Sequence, residues 1–130
     1  AHVHSDMIKL LKKIAPKQLV LVSDAISAYG LGDGTFIWDK RFITVKKSLC
    51  RLSNQTIAGS TFPLLESCKN VSKWIDDPSA AIWMATVAPR IILSNTKHTS
   101  KFFVLGKNIK SLLRWKINSC NHSLSWQSAV

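Results

Sequence analysis

The stretch LVLVSDAISAYGLGDG, residues 19–34, decides the fold class predicted for this chain of 130 residues. Its apolar run Leu19–Val22 is typical of a buried strand, and the run ends at Ser23 and Asp24 before a segment with three glycines. A carboxylate is costly to bury unless it is paired, hydrogen-bonded or bound to a metal. Because α/β proteins place functional residues at the C-terminal ends of parallel strands, Asp24 is a candidate catalytic or ligand-binding residue. The alternative is an Asp that starts a turn and caps the next segment.

Helical patterns flank this predicted strand. Residues 5–15 place apolar side chains at helical spacing, with Ser5 as the candidate N-cap and Pro16 at the end. Residues 1–3 then read as the end of an earlier strand, so that the whole segment forms a β-α-β unit of a parallel sheet. Further helices are predicted from about Phe62 to Trp74 and from Asp77 onward, where Pro89 ends or kinks the second one.

The remaining segments carry strand signals. Residues 36–52 alternate β-forming residues with turn signals and predict antiparallel hairpins, followed by a loop over residues 53–61. After Asn95 the chain returns to short strands: KFFVLG at 101–106, then a hairpin from Leu112 to Trp126. Both hairpins carry aromatic residues, and we expect them to pack in one small sheet or sandwich apart from the helices.

Composition narrows the classes of function. The chain has 18 Lys and Arg against 7 Asp and Glu, a formal net charge of +11, with 46% hydrophobic residues. This balance is compatible with binding nucleic acid or an acidic partner. However, the basic residues are dispersed in runs no longer than two, which favours a solvated basic surface. No apolar stretch approaches the ~20 residues of a membrane-spanning helix.

Four stretches in a fixed order carry a family resemblance: HVHSDMIKLL at 2–11, LVLVSDA at 19–25, IAGST at 57–61 and AAIWMATVAPRIIL at 80–93. Together they resemble the C-terminal part of the N-acetylglucosamine-6-phosphate deacetylases, in the amidohydrolase superfamily. The stretches match, in turn, the segment after the seventh barrel strand, the eighth strand, a loop beside bound substrate and a late helix.

The resemblance implies an α/β fold, namely the C-terminal part of a metal-dependent (β/α)8 barrel with part of a small β-sandwich domain. Residues 1–35 and 53–94 would be the last part of the barrel. Residues 36–52 would form a β-hairpin insert, and residues 95–130 would supply strands of the small β domain. The implied reaction is hydrolysis of N-acetylglucosamine 6-phosphate to glucosamine 6-phosphate and acetate, in the cytoplasm and often by a homodimer.

The resemblance also implies roles for particular residues. Asp24 would act as general base on a metal-activated water and then as general acid to the leaving amine. His2 would polarise the substrate carbonyl, although a solvated His near the terminus is the alternative. Ile57, Ala58 and Gly59 would line the sugar site, where glycine permits close approach of the backbone. The cofactor would be a divalent metal, with zinc as the first choice.

This chain departs from the family pattern in several places. The family's metal ligands, a Glu and two His residues from earlier strands, are not in the sequence, and His4 is interpreted as a surface or loop residue. The residues that hold the substrate phosphate are also lacking, and residues 95–106 differ from the usual glycine-rich strand. The chain is therefore interpreted as a fragment of a deacetylase, with a phosphorylated amino sugar as the expected partner, and no nucleic acid or membrane. The alternative is a non-catalytic basic domain, whose binding to nucleic acid should weaken steeply with salt.

The three cysteines predict a measurable redox state. Cys50, Cys68 and Cys120 are odd in number and lack metal-binding spacing, so we expect free thiols in a reducing compartment. Thiol titration of the unfolded protein without reductant should therefore find three reactive groups. A single reactive group would indicate an intramolecular disulfide and contradict the expected compartment.

Overall fold

The structure is a computed structural model that describes residues 3–94 and 112–128. Its elements run in mixed α and β order, and its sheets are antiparallel. The helices are α1 (Ser5–Ile14), α2 (Leu64–Ile75) and α3 (Pro78–Ser94). The strands are β1 (Gly34–Trp38), β2 (Arg41–Lys46), β3 (Leu49–Leu52), β4 (Ile57–Ser60), β5 (Leu113–Ile117) and β6 (Leu124–Ser128).

The described residues form two compact units. Val22–Ser67 forms the first, called here the sheet unit, and the described residues before Val22 and after Ser67 form the second, the helical unit. The domain division drawn from the family resemblance stays a prediction. The predicted strand KFFVLG lies outside the described residues. Within those residues, no helix is long and apolar enough to cross a membrane.

Helix α1 follows its sequence pattern but begins one residue differently from the prediction. The N-cap is His4, whose Nδ1 accepts a hydrogen bond from the backbone N–H of Asp6 at 3.3 Å, whereas Ser5 is already helical. His4 is exposed, as expected for a surface residue. None of the ten residues of α1 is fully buried, and four large apolar side chains on it are exposed: Met7, Leu10, Leu11 and Ile14.

The sheet unit is built on a four-stranded antiparallel meander, with the strands in the order β1-β2-β3-β4. Lys47 and Ser48 both have positive φ between β2 and β3, as a two-residue hairpin turn matched to strand twist requires. Ile43 and Val45 alternate inward along β2 and pack with Cys50 and Ala28. Residues 57–60 were expected in a loop, but they form strand β4 because their backbone pairs with β3.

The strand predicted over Leu19–Ser23 is wrong. These described residues join no ladder, and the nearest pairing is an isolated parallel bridge between Ala25 and Ser60. The backbone N–H of Leu21 instead donates a hydrogen bond to the carbonyl of Met84 at 3.0 Å. Leu19 and Leu21 pack, half-buried, against the helical core. The apolar run therefore predicted burial correctly, but a strand also needs a neighbouring strand with free backbone groups.

Helices α2 and α3 supply most of the core of the helical unit, whose buried members are Cys68, Val71, Ala81, Met84 and Leu124. Asp77 starts α3 as expected, since its Oδ1 accepts a hydrogen bond from the N–H of Ala80 at 2.9 Å. Pro78 occupies the first helical position, where its missing N–H is not needed. Pro89 was expected to end or kink the helix, but α3 continues through it to Ser94.

Strands β5 and β6 form the predicted C-terminal hairpin, with Trp115 opposite Trp126. The expectation that this hairpin packs apart from the helices is wrong, because Leu124 is buried in the helical core with Cys68 and Val71. The hairpin also forms a two-stranded sheet of its own. Ser72, on α2, donates a hydrogen bond from Oγ to the carbonyl of His122 at 2.7 Å and ties the hairpin turn to that helix.

The cysteines are unpaired, which confirms the prediction from their number. Cys50 and Cys68 are buried, and Cys120 is exposed. Burial raises the pKa of the Cys68 thiol to about 11, so this side chain stays protonated at neutral pH and packs as an apolar group.

The ion pair between Lys12 and Asp77 predicts acid sensitivity of the helical unit. Nζ of Lys12 donates to Oδ2 of Asp77 at 2.6 Å, and this bond lowers the pKa of Asp77 below its ordinary value of 3.8. Because the folded pKa is depressed, the stabilisation is present above that ordinary value and is lost as the pH falls through the folded pKa. We expect Lys12→Ala to lower the free energy of unfolding by about 0.5–1 kcal/mol at about pH 7 and by less at about pH 3.

Urea unfolding at the two pH values measures this difference. Lys13→Ala is the matched control, because Lys13 is an exposed neighbour on the same helix. Equal losses for Lys12→Ala at both pH values would show that the pair does not carry the pH dependence.

Candidate active site

Asp24 lies in the sheet unit, where its backbone is fixed by one residue of strand β4. The N–H of Ser60 donates to the carbonyl of Asp24 at 2.9 Å, and the N–H of Ile26 donates to the carbonyl of Ser60 at 3.2 Å. The hydroxyl of Ser60 donates to the carbonyl of Ser23 at 2.7 Å. Asp24 itself is exposed and has a φ of +51°. The carboxylate therefore projects from residues 23–26, called here the Asp24 segment, which is hydrogen-bonded to Ser60 and in which Asp24 has a left-handed backbone.

Gly59 lies directly against this segment. A Cβ added at Gly59 would stand 2.7 Å from Cγ2 of Ile26, 2.9 Å from the carbonyl oxygen of Asp24 and 3.7 Å from its Oδ2. A Cβ atom does not come within 3.0 Å of another heavy atom unless one of the two shifts. Gly59 also has a φ of +126°, which side-chain-bearing residues rarely adopt. The close approach of β4 to Asp24 therefore depends on glycine at this position.

Cys50 lies opposite Gly59 on the neighbouring strand β3 and is fully buried. Burial, and to a lesser extent the charge of the Asp24 carboxylate, raises the pKa of the Cys50 thiol above its ordinary value. The thiol therefore stays neutral at physiological pH and adds no competing charge beside the carboxylate.

The structure brings some of the predicted site residues together. Asp24 and Gly59 are in direct proximity, and Ile57 and Ala58 precede Gly59 on β4, with Ile57 exposed and Ala58 half-buried. His2 lies outside the described residues.

Sequence reasoning missed two residues that shape this site, Ser60 and Cys50. Ser60 is 7% exposed, and its partners lie in a segment that precedes it by 37 positions along the chain. No local pattern predicts such a pairing. The burial of Cys50 could have been predicted weakly from the sequence, because side chains alternate between the two faces of a strand and Cys50 lies on the inward face of Leu49–Leu52.

Within residues 3–94 and 112–128, no three His, Cys, Asp or Glu side chains gather into a cluster that could hold a metal ion. A catalytic zinc usually has three protein ligands. The described residues therefore do not fit a metal centre by themselves, and Asp24 is the one carboxylate that they place beside Gly59.

Comparison with known proteins identifies deacetylases of amino-sugar phosphates as relatives, although no family model matches the chain. The chain is 30% identical over 89 residues to the N-acetylglucosamine-6-phosphate deacetylase of Vibrio furnissii, a match over 68% of this chain and 22% of that enzyme. It is 33% identical over 93 residues to the Haemophilus influenzae enzyme of the same name, a match over 68% of this chain and 24% of that enzyme.

Solved structures of N-acetylglucosamine-6-phosphate deacetylases are also similar to this chain. The N-acetylglucosamine-6-phosphate deacetylase of Thermotoga maritima matches 73% of this chain and 27% of its own, with 31% identity and a TM-score of 0.66. The Mycobacterium smegmatis enzyme was solved as an Asp-to-Ala variant in complex with N-acetyl-D-glucosamine-6-phosphate. It matches 72% of this chain and 26% of its own, with 26% identity and a TM-score of 0.66.

The resemblance predicted from the four sequence stretches is therefore confirmed: over most of its length, the chain is similar to N-acetylglucosamine-6-phosphate deacetylases, which are hydrolases. It spans 22% and 24% of the length of the two curated relatives described above.

Gly59→Ala tests the close approach of β4 to Asp24. The added methyl group would meet Ile26 and the Asp24 carbonyl and would force an unfavourable φ. We expect a loss of about 3 kcal/mol or more in the free energy of unfolding, measured by urea titration. Gly32→Ala is the matched control, because Gly32 also has a positive φ of +78° but nothing lies within 4 Å of an added Cβ. It should cost about 1 kcal/mol, and equal losses in the two variants would contradict the steric explanation.

Proposed function

We propose that this chain carries part of the active site of an amino-sugar deacetylase that releases acetate from N-acetylglucosamine 6-phosphate. The observation that carries the proposal is the placement of an exposed aspartate directly against Gly59 of β4. Its support is the similarity of the chain to enzymes named for this activity. The whole enzyme would have a (β/α)8 barrel and a small β domain, and it would act in the cytoplasm, as a homodimer.

Asp24 is proposed as the group that moves protons in the reaction. Amide hydrolysis needs a base that takes a proton from the attacking water and an acid that delivers one to the leaving amine nitrogen. An exposed carboxylate on a fixed backbone can do both in turn: it accepts the proton from water at one oxygen and then donates it to nitrogen. Burial raises the pKa of the neighbouring Cys50 thiol, so this thiol stays neutral and is not a competing base at the site.

Strand β4 is proposed to line the sugar site. In the described part of the sheet unit, β4 is the last strand of the meander, and its outer edge faces the Asp24 segment through Ser60. An edge strand presents backbone donors and acceptors that sugar hydroxyls can use. We assign this lining to Ile57, Ala58 and Gly59, and the missing side chain at Gly59 lets the strand lie close to the segment that carries the carboxylate.

Two parts of the proposed site come from the family resemblance alone. His2 is assigned to polarise the carbonyl of the acetyl group. A divalent metal, with zinc as the first choice, would activate the water in the whole enzyme, and its ligands would come from residues that this chain does not contain. The described residues hold no cluster for such an ion, so the roles derived above belong to Asp24 and β4 alone.

A second candidate function rests on one feature of the sheet unit. Lys46, Lys47 and Arg51 line a groove of about 490 Å³ beside Thr44 and Gln55, and none of the acidic side chains among the described residues lines it. The whole chain has a formal net charge of +11. A basic groove on such a chain favours binding of nucleic acid or an acidic partner. Binding that weakens steeply with salt, together with no deacetylase activity in any form of the protein, would favour this alternative.

The proposed role of Asp24 predicts a specific kinetic defect. The chain alone should bind no stoichiometric zinc and release no acetate from N-acetylglucosamine 6-phosphate, because it lacks the metal ligands. The active form would be a chimaera in which this chain replaces the matching C-terminal part of the Vibrio furnissii enzyme. In that chimaera, Asp24→Asn should lower kcat at least about 100-fold and leave KM nearly unchanged.

Asp39→Asn is the matched control for this substitution. Asp39 is another exposed aspartate of the sheet unit with a positive φ, +60°, and it lies in a hairpin turn. The isosteric change should leave kcat unchanged. Clear turnover by the chain alone would contradict the first expectation. Near-normal kcat in the Asp24→Asn chimaera would contradict the proton-transfer role and show that Asp24 is only a turn residue.

A further inference from the structure

Ser60 is hydrogen-bonded to the Asp24 segment through both its backbone and its side chain, whereas strand pairing uses the backbone alone. Its N–H donates to the carbonyl of Asp24, its carbonyl accepts from the N–H of Ile26, and its hydroxyl donates to the carbonyl of Ser23. The hydroxyl oxygen also accepts from the N–H of Phe62 at 3.3 Å. Ser60 therefore bonds to residues on both sides of Asp24 along the chain.

These contacts hold a strained backbone. Asp24 has a φ of +51°, in the left-handed region, which costs most residues with a side chain about 1–2 kcal/mol and which aspartate adopts more readily than most. Among the described residues, the segment has no strand ladder to hold it, and its bridge to β4 is the isolated pair Ala25–Ser60. Strained positions persist where the surroundings determine them from several directions. Here the surroundings are the hydrogen bonds to Ser60 and the contact with Gly59.

We infer that Ser60 is a positioning residue, which holds the backbone of Asp24 so that its carboxylate points at the proposed substrate site. The inference rests on the proposed function for its catalytic consequence. Ser60 is itself buried, at 7% exposure, and acts on the reaction through Asp24. Its hydroxyl is the part that a mutation can remove while the strand backbone, and so the lining by Ile57 to Gly59, stays in place.

The first test reads the conformation of Asp24 in the 130-residue chain, without any need for activity. The ¹³Cα and ¹³Cβ chemical shifts of Asp24 report its left-handed backbone. Ser60→Ala should move these shifts toward the values of an unconstrained aspartate. Ser60→Thr keeps a hydroxyl on a residue that suits a strand, and it should restore the original shifts. Unchanged shifts in Ser60→Ala would overturn the inference.

The second test separates positioning from stability. Ser72→Ala is the matched control, because Ser72 is also buried and its hydroxyl also donates to a backbone carbonyl at 2.7 Å, but in the helical unit. Both alanine variants should lose similar stability in urea. In the chimaera, Ser60→Ala alone should lower kcat about 10-fold with KM changed less than about 2-fold, as expected for a misplaced proton-transfer group. Ser60→Thr should recover most of the lost kcat.

The outcomes of the two tests are distinct. If Ser60→Ala shifts Asp24 but leaves kcat equal to that of the parent chimaera, Ser60 has no part in the reaction and the inference is wrong. An equal loss of kcat in Ser72→Ala would show a general effect of instability and would also overturn it. If no form of the protein releases acetate, the proposed function fails, and the chemical shifts then decide whether Ser60 positions Asp24.

Discussion

The sheet unit depends on one close approach, that of the backbone at Gly59 to the backbone at Asp24. Only hydrogen fits on the side of Gly59 that faces Asp24, because a methyl group there would come within 2.9 Å of the Asp24 carbonyl and 2.7 Å of Ile26. This proximity lets Ser60, the next residue, exchange hydrogen bonds with the segment around Asp24. The bridge between Ala25 and Ser60 therefore depends on the missing side chain at Gly59.

The site combines a strained residue with a rigid support, a common arrangement at functional positions. Strand β4 is held on one side by its ladder with β3, where Gly59 lies opposite the buried Cys50. On its other side it holds the Asp24 segment through Ser60. The carboxylate is thus carried by a sheet that is packed around Ile43 and Val45, although it lies at the exposed end of a segment with no ladder of its own. The packed sheet fixes the backbone of Asp24, and the exposure of Asp24 leaves its carboxylate accessible to solvent and substrate.

Local patterns predicted the parts of the fold that local interactions determine. Helix α1, the start of α3 at Asp77 and the hairpins have their signals within a few residues, in apolar spacing, caps and turn residues. Strand β4 was missed, and a strand at Leu19–Ser23 was wrongly expected, because both outcomes depend on partners distant in sequence. The same limit applies to the site. Asp24 and Gly59 were found from the sequence, whereas Ser60 was not, because its hydroxyl bonds to a residue 37 positions away.

The apolar face of α1 has a consequence for the behaviour of the chain in solution. Met7, Leu10, Leu11 and Ile14 are exposed on one short helix, in a chain that carries a formal net charge of +11. Mutual repulsion between such cations keeps copies apart at low ionic strength, while the exposed hydrocarbon favours their association. Added salt shortens the range of the repulsion to about 10 Å at 0.1 M and leaves the hydrophobic attraction in place. Raising the ionic strength therefore weakens the repulsion between copies of the isolated chain more than it weakens the attraction between exposed apolar side chains.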